Sequence, residues 1–342
     1  MSQAEVTRRG ERGRRPGREA VPGEHGGLER HGPPRRRRGE RTVVPEAEFG
    51  SYYGRPIIKP PTWAASDIAG YLFLGGLAGA SSVLAAGAEL TGRPALARVG
   101  KLGALAGISL STVALIHDLG RPARFVNMLR VVKPTSPMSV GSWILLGYGP
   151  VAGLAAVTDA TGSFRRTGRA ATAWCGLTGP AVATYTSVLI ADTAVPAWHE
   201  AHRELPFLFA GSSAAAASGL ALLAAPVRET GPARASAVFG AALELGAERL
   251  MERRLGPTLA EPYRGGKSGV LKRAARALTV AGAAGAALFA GRSRLGAALA
   301  GTALLAGSAC TRLAVFEAGR ASALDPHYTV AAQRSKHPPT VE

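Results

Sequence analysis

The side chains able to do chemistry in this 342-residue sequence stand where long apolar runs end. Asp67 and Tyr71 open one run, and His117 and Asp118 close the next. Tyr185 and Asp192 close a later one, followed by His199, Glu200 and His202, and Arg312 and Glu317 close the last. Tyr185 and Asp192 are seven residues apart, so on a helix they share a face at two turns' separation. A phenol set deeper than a carboxylate suits hydrogen bonding to a carbonyl such as that of a quinone, with the acid exchanging protons with water. Core packing of Tyr185 fits the same spacing equally well.

Other chemistries find less support. His199 and His202 have the i,i+3 spacing of a metal pair, but no carboxylate or cysteine spacing completes a ligand set. The surrounding PAWHEAHRELP therefore reads as a polar connection. Only His117 lies near a run, at its end, so no haem and no metal are expected. Cys175 and Cys310 stand singly inside apolar runs, form no CxxC pair, and read as small buried hydrophobes. No P-loop, no dinucleotide-binding glycine motif and no Ser-His-Asp arrangement is present. Glu244 and Glu248, at i,i+4, repel unless one is protonated or a cation pairs with them. Arg249, Arg253 and Arg254 are near in sequence, and an ion pair is favoured over a proton path.

The elements that must position these residues are long apolar runs. Beyond residue 62 most of the chain consists of runs of about 20 residues, the length that crosses a ~30 Å hydrocarbon core. Eight spans are expected, at about 65–89, 96–117, 141–159, 170–192, 205–225, 233–250, 271–291 and 295–317. Gly75, Gly76 and Gly79 in the first permit close approach of a neighbour. Tyr52, Tyr53 and Trp63 suit the interfacial belt. The formal net charge is +18, which in a soluble protein would suggest nucleic acid. Here the basic residues lie mostly between apolar runs, so lipid head groups and orientation explain them and no nucleic-acid partner is expected.

Alternating spans place all the polar run ends named above on one face, together with the loop 117–143, HDLGRPARFVNMLRVVKPTSPMSVGSW; only Glu89 and Asp159 mark run ends on the other face. Ionisable groups beside hydrocarbon are costly and usually face a protein interior or a cavity, so this face is the candidate site. With the N-terminus cytoplasmic, 13 Lys and Arg fall in cytoplasmic connections against 10 outside, which favours both termini inside. Residues 1–48, with twelve Arg and eight Glu, read as a disordered basic tail. Residues 49–334 form the membrane domain and 335–342 a C-terminal tail.

Several stretches carry a resemblance. DLGRPARFVNMLRVVKPTSPMSVGSW at 118–143 resembles the signature of the NrfD / polysulfide-reductase membrane-subunit family. So do YYGRPIIKPPTW with YLFLGGLAGAS within 52–82, WHEAHRELPFLFAGSSAAAASG at 198–219, and RLAVFEAGRASALDPHYTVAAQR at 312–334. The resemblance covers about 49–334 and implies an all-α integral membrane protein of eight transmembrane helices in two four-helix bundles, in the cell inner or plasma membrane. It implies no haem and no metal in this chain, and a quinone site, menaquinone in the expected reading. That site lies near the face docking a four-cluster ferredoxin-like iron–sulfur subunit, which contacts a molybdopterin catalytic subunit. No residue-by-residue quinone motif transfers, so the site residues rest on position and chemistry. His117, Asp118 and Asp192 are expected to carry protons. Tyr71, Tyr185 and Asp67 are expected to line the quinone site, the phenols as carbonyl donors, and Arg121 and Arg124 to hold the loop and face the partner. The rival readings are a passive membrane anchor for a peripheral oxidoreductase and, with less support, a secondary transporter.

Overall fold

In the computed structural model, residues 6–7, 10–11, 56–61, 63–119 and 123–336 are described. Within the basic tail the described residues are a two-residue antiparallel pairing, Val6–Thr7 with Gly10–Glu11. The remainder of 1–48, and Arg121 of the loop, lie outside the described residues. The other described elements are helices: α1 Ala65–Leu90, α2 Pro94–Asp118, α3 Ala123–Met128, α4 Pro137–Thr161, α5 Arg165–Ala191, α6 Pro196–Glu200, α7 Leu205–Ala224, α8 Gly231–Arg264, α9 Gly266–Leu288, α10 Arg294–Leu324 and α11 Pro326–Lys336, with a 3₁₀ turn at Val227–Glu229.

Local sequence explains the boundaries. Proline stands in the first turn of α2, α4, α6, α7 and α8, where its missing N–H costs nothing and its fixed φ favours the helix. Ser293 caps α10 by accepting the Gly296 amide at 3.2 Å. Gly162, at φ 67°, ends α4 in the left-handed conformation. Gly256, at φ 70°, breaks α8 just before Pro257. Many hydroxyls inside the helices turn back onto their own carbonyls, as Thr172 onto Gly168 and Thr184 onto Pro180, both at 2.8 Å, and so need no solvent.

Among the described residues, eight helices of 20 residues or more lie in order where the spans are expected. Five of them, α1, α2, α4, α7 and α10, are long and apolar enough to cross a membrane. In α5, Thr, Trp, Tyr and Gly dilute the apolar residues, while α8 and α9 carry charged side chains over much of their length. Packing sorts the eight into two groups of four. In one, α1 lies against α2 and α5, and α4 against α5; in the other, α7 lies against α8 and α10, and α9 against α10 and α8. The groups meet where α1 packs on α7 and α10 and α5 on α7.

Close backbone approach builds both groups. A Cβ on Gly79 would strike the Gly179 carbonyl, and one on Gly179 would strike that of Gly79, so α1 and α5 cross with their backbones touching. Gly211 and Gly240 stand in the same reciprocal relation between α7 and α8. In an apolar solvent such contact replaces the hydrophobic drive as the main attraction between helices. Gly79 fulfils the role expected for the glycines of the first span; Gly75 and Gly76 instead make room for Ser111, and for Ser213 and Arg312. Gly79→Val is expected to separate α1 from α5 and lower the detergent melting temperature by several degrees or abolish folding, whereas Gly147→Val, at a position open around its Cβ, is expected to change it by far less.

Candidate functional site

The start of α1, the end of α2, the start of α4 and the end of α5 enclose a cavity of about 100 Å³. Tyr71, Asp118 and Tyr185 line it, on walls made otherwise of Trp63, Ile68, Leu72, Leu115, Leu145, Leu189 and Ile190, with Met128 and Met138 from the loop side. The spacing of the sequence accounts for this convergence. Tyr71 lies one turn inside α1 from Asp67, and Tyr185 lies two turns inside the end of α5, so both phenols project at similar depth from antiparallel helices. Their rings meet edge to face at 6.4 Å, and their hydroxyls hydrogen-bond to one another. Tyr71 and Tyr185 are buried. Gly141 of α4 makes space for the Tyr185 ring, because any Cβ there would overlap it.

At the aqueous end of this cavity the His117 Nδ1 pairs with Asp67 Oδ2 at 2.8 Å, joining α2 to α1. Asp118 is half-buried, with the Ala64 backbone, Asp67 and His117 as its electrostatic neighbours. Asp192 is exposed just past α5 and is not among the cavity walls. Arg124 donates to the Leu119 carbonyl at 3.0 Å, closing the chain after α2. The loop is not irregular throughout: α3 folds within it, and the Ser139 hydroxyl donates to Val131 O and accepts from the Lys133 amide, both at 3.0 Å, which pins its return. Val126, Val131 and Val132 remain exposed on it beside Arg124 and Arg130.

Three features escaped the sequence reading. The WHEAHRELP segment is not simply a polar connection: Trp198 is fully buried, donates to Val315 O at 2.7 Å and stacks on Trp63 with centroids 6.1 Å apart. His199 and His202 each direct Nδ1 at a backbone carbonyl, of Ala191 at 3.1 Å and of His199 at 2.9 Å. Met128 and Met138 of the cavity wall carried no legible signal, because a lone apolar residue does not declare its neighbour, and Trp63, expected in the interfacial belt, also lines the cavity.

The second group holds a separate ionic assembly. Glu244, Glu248 and Glu252 lie at i, i+4 and i+8 along α8. Their partners are not the arginines next to them in sequence: from α9 and α10 Arg276 reaches Glu248 at 2.8 Å, Lys272 reaches Glu248 at 3.6 Å and also holds Glu252, and Thr311 donates to Glu244, while Arg264 at the end of α8 holds Glu252 at 3.1 Å. Arg254 turns away to pair with Glu204 at 2.6 Å. Deepest of all is Arg312, fully buried, which donates to Phe209 O at 2.9 Å and Ser213 Oγ at 2.8 Å and lies 3.7 Å from the Phe209 ring centroid. Glu244 is its electrostatic neighbour, but the two make no direct ion pair, and Arg312 Nε and Nη1 and Glu244 Oε2 have no hydrogen-bond partner among the described residues.

Together these features define a multi-pass membrane protein whose polar machinery is concentrated at one end of its helices. The family model described as "Polysulphide reductase, NrfD" matches residues 61–239, more than half of the sequence, and the chain belongs to that family of membrane subunits of quinone-linked oxidoreductase complexes. A search of curated proteins gives no match. Removing the counter-charge of a buried ion costs about 3–5 kcal/mol, whereas removing both charges costs less. Arg312→Met is therefore expected to destabilise the chain strongly in detergent, and Arg312→Met/Glu244→Gln to recover much of the loss; purely additive effects in this double-mutant cycle would show that the two charges do not interact.

Proposed function

We propose that this chain is the quinone-reactive subunit of a multi-subunit oxidoreductase, exchanging electrons between the membrane quinone pool and a ferredoxin-like iron–sulfur partner that serves a molybdopterin catalytic subunit. All eight long helices cross the membrane in this reading, with both termini on the cytoplasmic side of the plasma membrane. The observation that carries it is the cavity that joins Tyr71, Tyr185 and Asp118 at one end of the first four-helix group.

The donor set suits a quinone head group. Two phenols offer O–H donors to a carbonyl, a carboxylate stands at the aqueous side, and the remaining walls are apolar enough to accept a ring. The volume of about 100 Å³ is somewhat below the ~150 Å³ of a cavity that admits benzene. A ring therefore enters when the Tyr71–Tyr185 hydroxyl pair parts and the flexible side chains of Met128 and Met138 yield. A bound quinone supplies two-electron, two-proton redox chemistry, and no redox group of this chain is needed for it beyond contact with the partner's clusters. Tyr71 and Tyr185 exchange their mutual hydrogen bond for one to the carbonyl and so orient the ring. Asp118 passes protons between the cavity and water, with the Asp67–His117 pair fixing the local charge around it. Asp192, exposed beyond α5, serves at most as an outer proton relay in this scheme.

The loop holding α3 is the partner's docking surface. Exposed valines flanked by Arg124, Arg130 and Lys133 offer both apolar contact and positive charge to an acidic electron-transfer protein. Asp118→Asn and Tyr185→Phe are each expected to lower quinol-coupled turnover of the intact complex by about 10²-fold or more, while leaving electron transfer between the catalytic subunit and an artificial acceptor unchanged. Undiminished quinol turnover in both variants, with the complex assembled, would show that the chain only anchors its partners.

A further inference from the structure

At the end of the first helix group opposite the cavity, a groove of about 720 Å³ runs between α1 and α5. Its α5 wall carries Arg169, Ala173, Gly176 and Leu177, at i, i+4, i+7 and i+8, hence on one helix face. Arg165 and Arg166 extend that face outward by one turn, and both are exposed. The wall thus reads basic at the helix end and apolar deeper in, over roughly 18 Å at 1.5 Å per residue. This polarity along the membrane normal is that of a phospholipid, with a charged head and an apolar tail.

The charge balance decides which phospholipid. Among the described residues three carboxylates stand at this end, Glu89, Asp159 and Glu229, and all are already engaged, Glu229 by the Leu96 amide at 2.9 Å. Lys101, buried between α1 and α4, lies 3.2 Å from Glu89 and 3.3 Å from Asp159, and Arg98 holds Asp159 at 2.7 Å. Glu89 also lines the groove, where Arg169 approaches it only to 3.8 Å with its own side chain 77% exposed; so exposed a pair holds the guanidinium weakly. Among the described residues no carboxylate pairs with Arg165 or Arg166. Arg165 and Arg166 thus carry no described ion pair and Arg169 only the weak one to Glu89, so all three can meet a negative head group, while Glu89 is neutralised from behind by Lys101.

We infer that the α1–α5 groove is a binding site for an anionic phospholipid, its phosphate held by Arg165, Arg166 and Arg169 and one acyl chain laid along Ala173, Gly176 and Leu177. The site is independent of the quinone cavity and stands whether or not that reading does.

The test uses the full chain in detergent micelles doped with phosphatidylglycerol or with phosphatidylcholine, followed by thermal unfolding and by native mass spectrometry for retained lipid. The wild type is expected to melt higher, and to retain more lipid, with phosphatidylglycerol. Arg165→Gln/Arg166→Gln/Arg169→Gln is expected to weaken phosphatidylglycerol binding roughly tenfold or more, with unchanged melting in phosphatidylcholine. Ala173→Phe keeps the arginines and fills the groove at an exposed position, and is expected to abolish the preference as well. Equal stabilisation of the wild type by the two lipids would overturn the site. A preference surviving the triple variant would remove the arginines from it, and one surviving Ala173→Phe would reduce it to diffuse surface attraction; either refutes the inference.

Discussion

A guanidinium cannot be left bare in an apolar interior, and the burial of Arg312 at the junction of the two helix groups constrains everything around it. Its hydrogen bonds fix α10 against α7 through Phe209 and Ser213. Its bulk requires that α1 present no side chain at Gly76. Glu244 on α8 is its electrostatic neighbour and takes the Thr311 hydroxyl. One buried cation therefore specifies the relative placement of four helices drawn from both groups. Replacing it and its counter-ion with apolar residues would cost less stability than removing either alone, so its value lies in fixing one arrangement among many that plain helix packing permits.

That fixed junction leaves the two groups to do different things. In the second, carboxylates and cations are matched across α8, α9 and α10, and the assembly is closed on itself: the space among its members is only about 20 Å³. In the first, the polar groups surround open volume. Tyr71 and Tyr185 satisfy only each other, and the ring of Tyr185 lies where Gly141 gives it room. An ion-paired network rigidifies, whereas a pair of hydroxyls held together at a cavity wall can exchange partners at little cost. This asymmetry is the ground on which the proposed quinone chemistry is placed in the first group.

The helical architecture was legible because hydrocarbon thickness imposes a length and backbone satisfaction imposes a helix. The expected spans match the long helices in order, with ends displaced by several residues where a charged turn continues the helix past the apolar run: α5 begins at Arg165 and α8 runs on to Arg264. Hydropathy could not report those extensions because it measures solvent preference, not backbone geometry. Tyr71, Asp118 and Tyr185 were legible as a group because alternating spans bring fixed ends to one face. Asp192 met the same criterion yet lies outside the cavity wall, since the criterion gives depth along a helix but not the direction of the side chain.

Partners across helices were the illegible part. Sequence proximity pointed Glu244 and Glu248 to Arg249, Arg253 and Arg254, but a residue one position on from Glu248 projects about 100° around the helix and cannot turn back to it. The cations that reach Glu248 come from Lys272 and Arg276 on α9, one turn apart on a helix that runs antiparallel to α8. The same logic hid Lys101. In sequence it counts as one more basic residue near a span end, yet it is buried between Glu89 and Asp159 and ties α1, α2 and α4 together. Its position neutralises Glu89 and Asp159, and so leaves the arginines of α5 as the charge presented beside the α1–α5 groove.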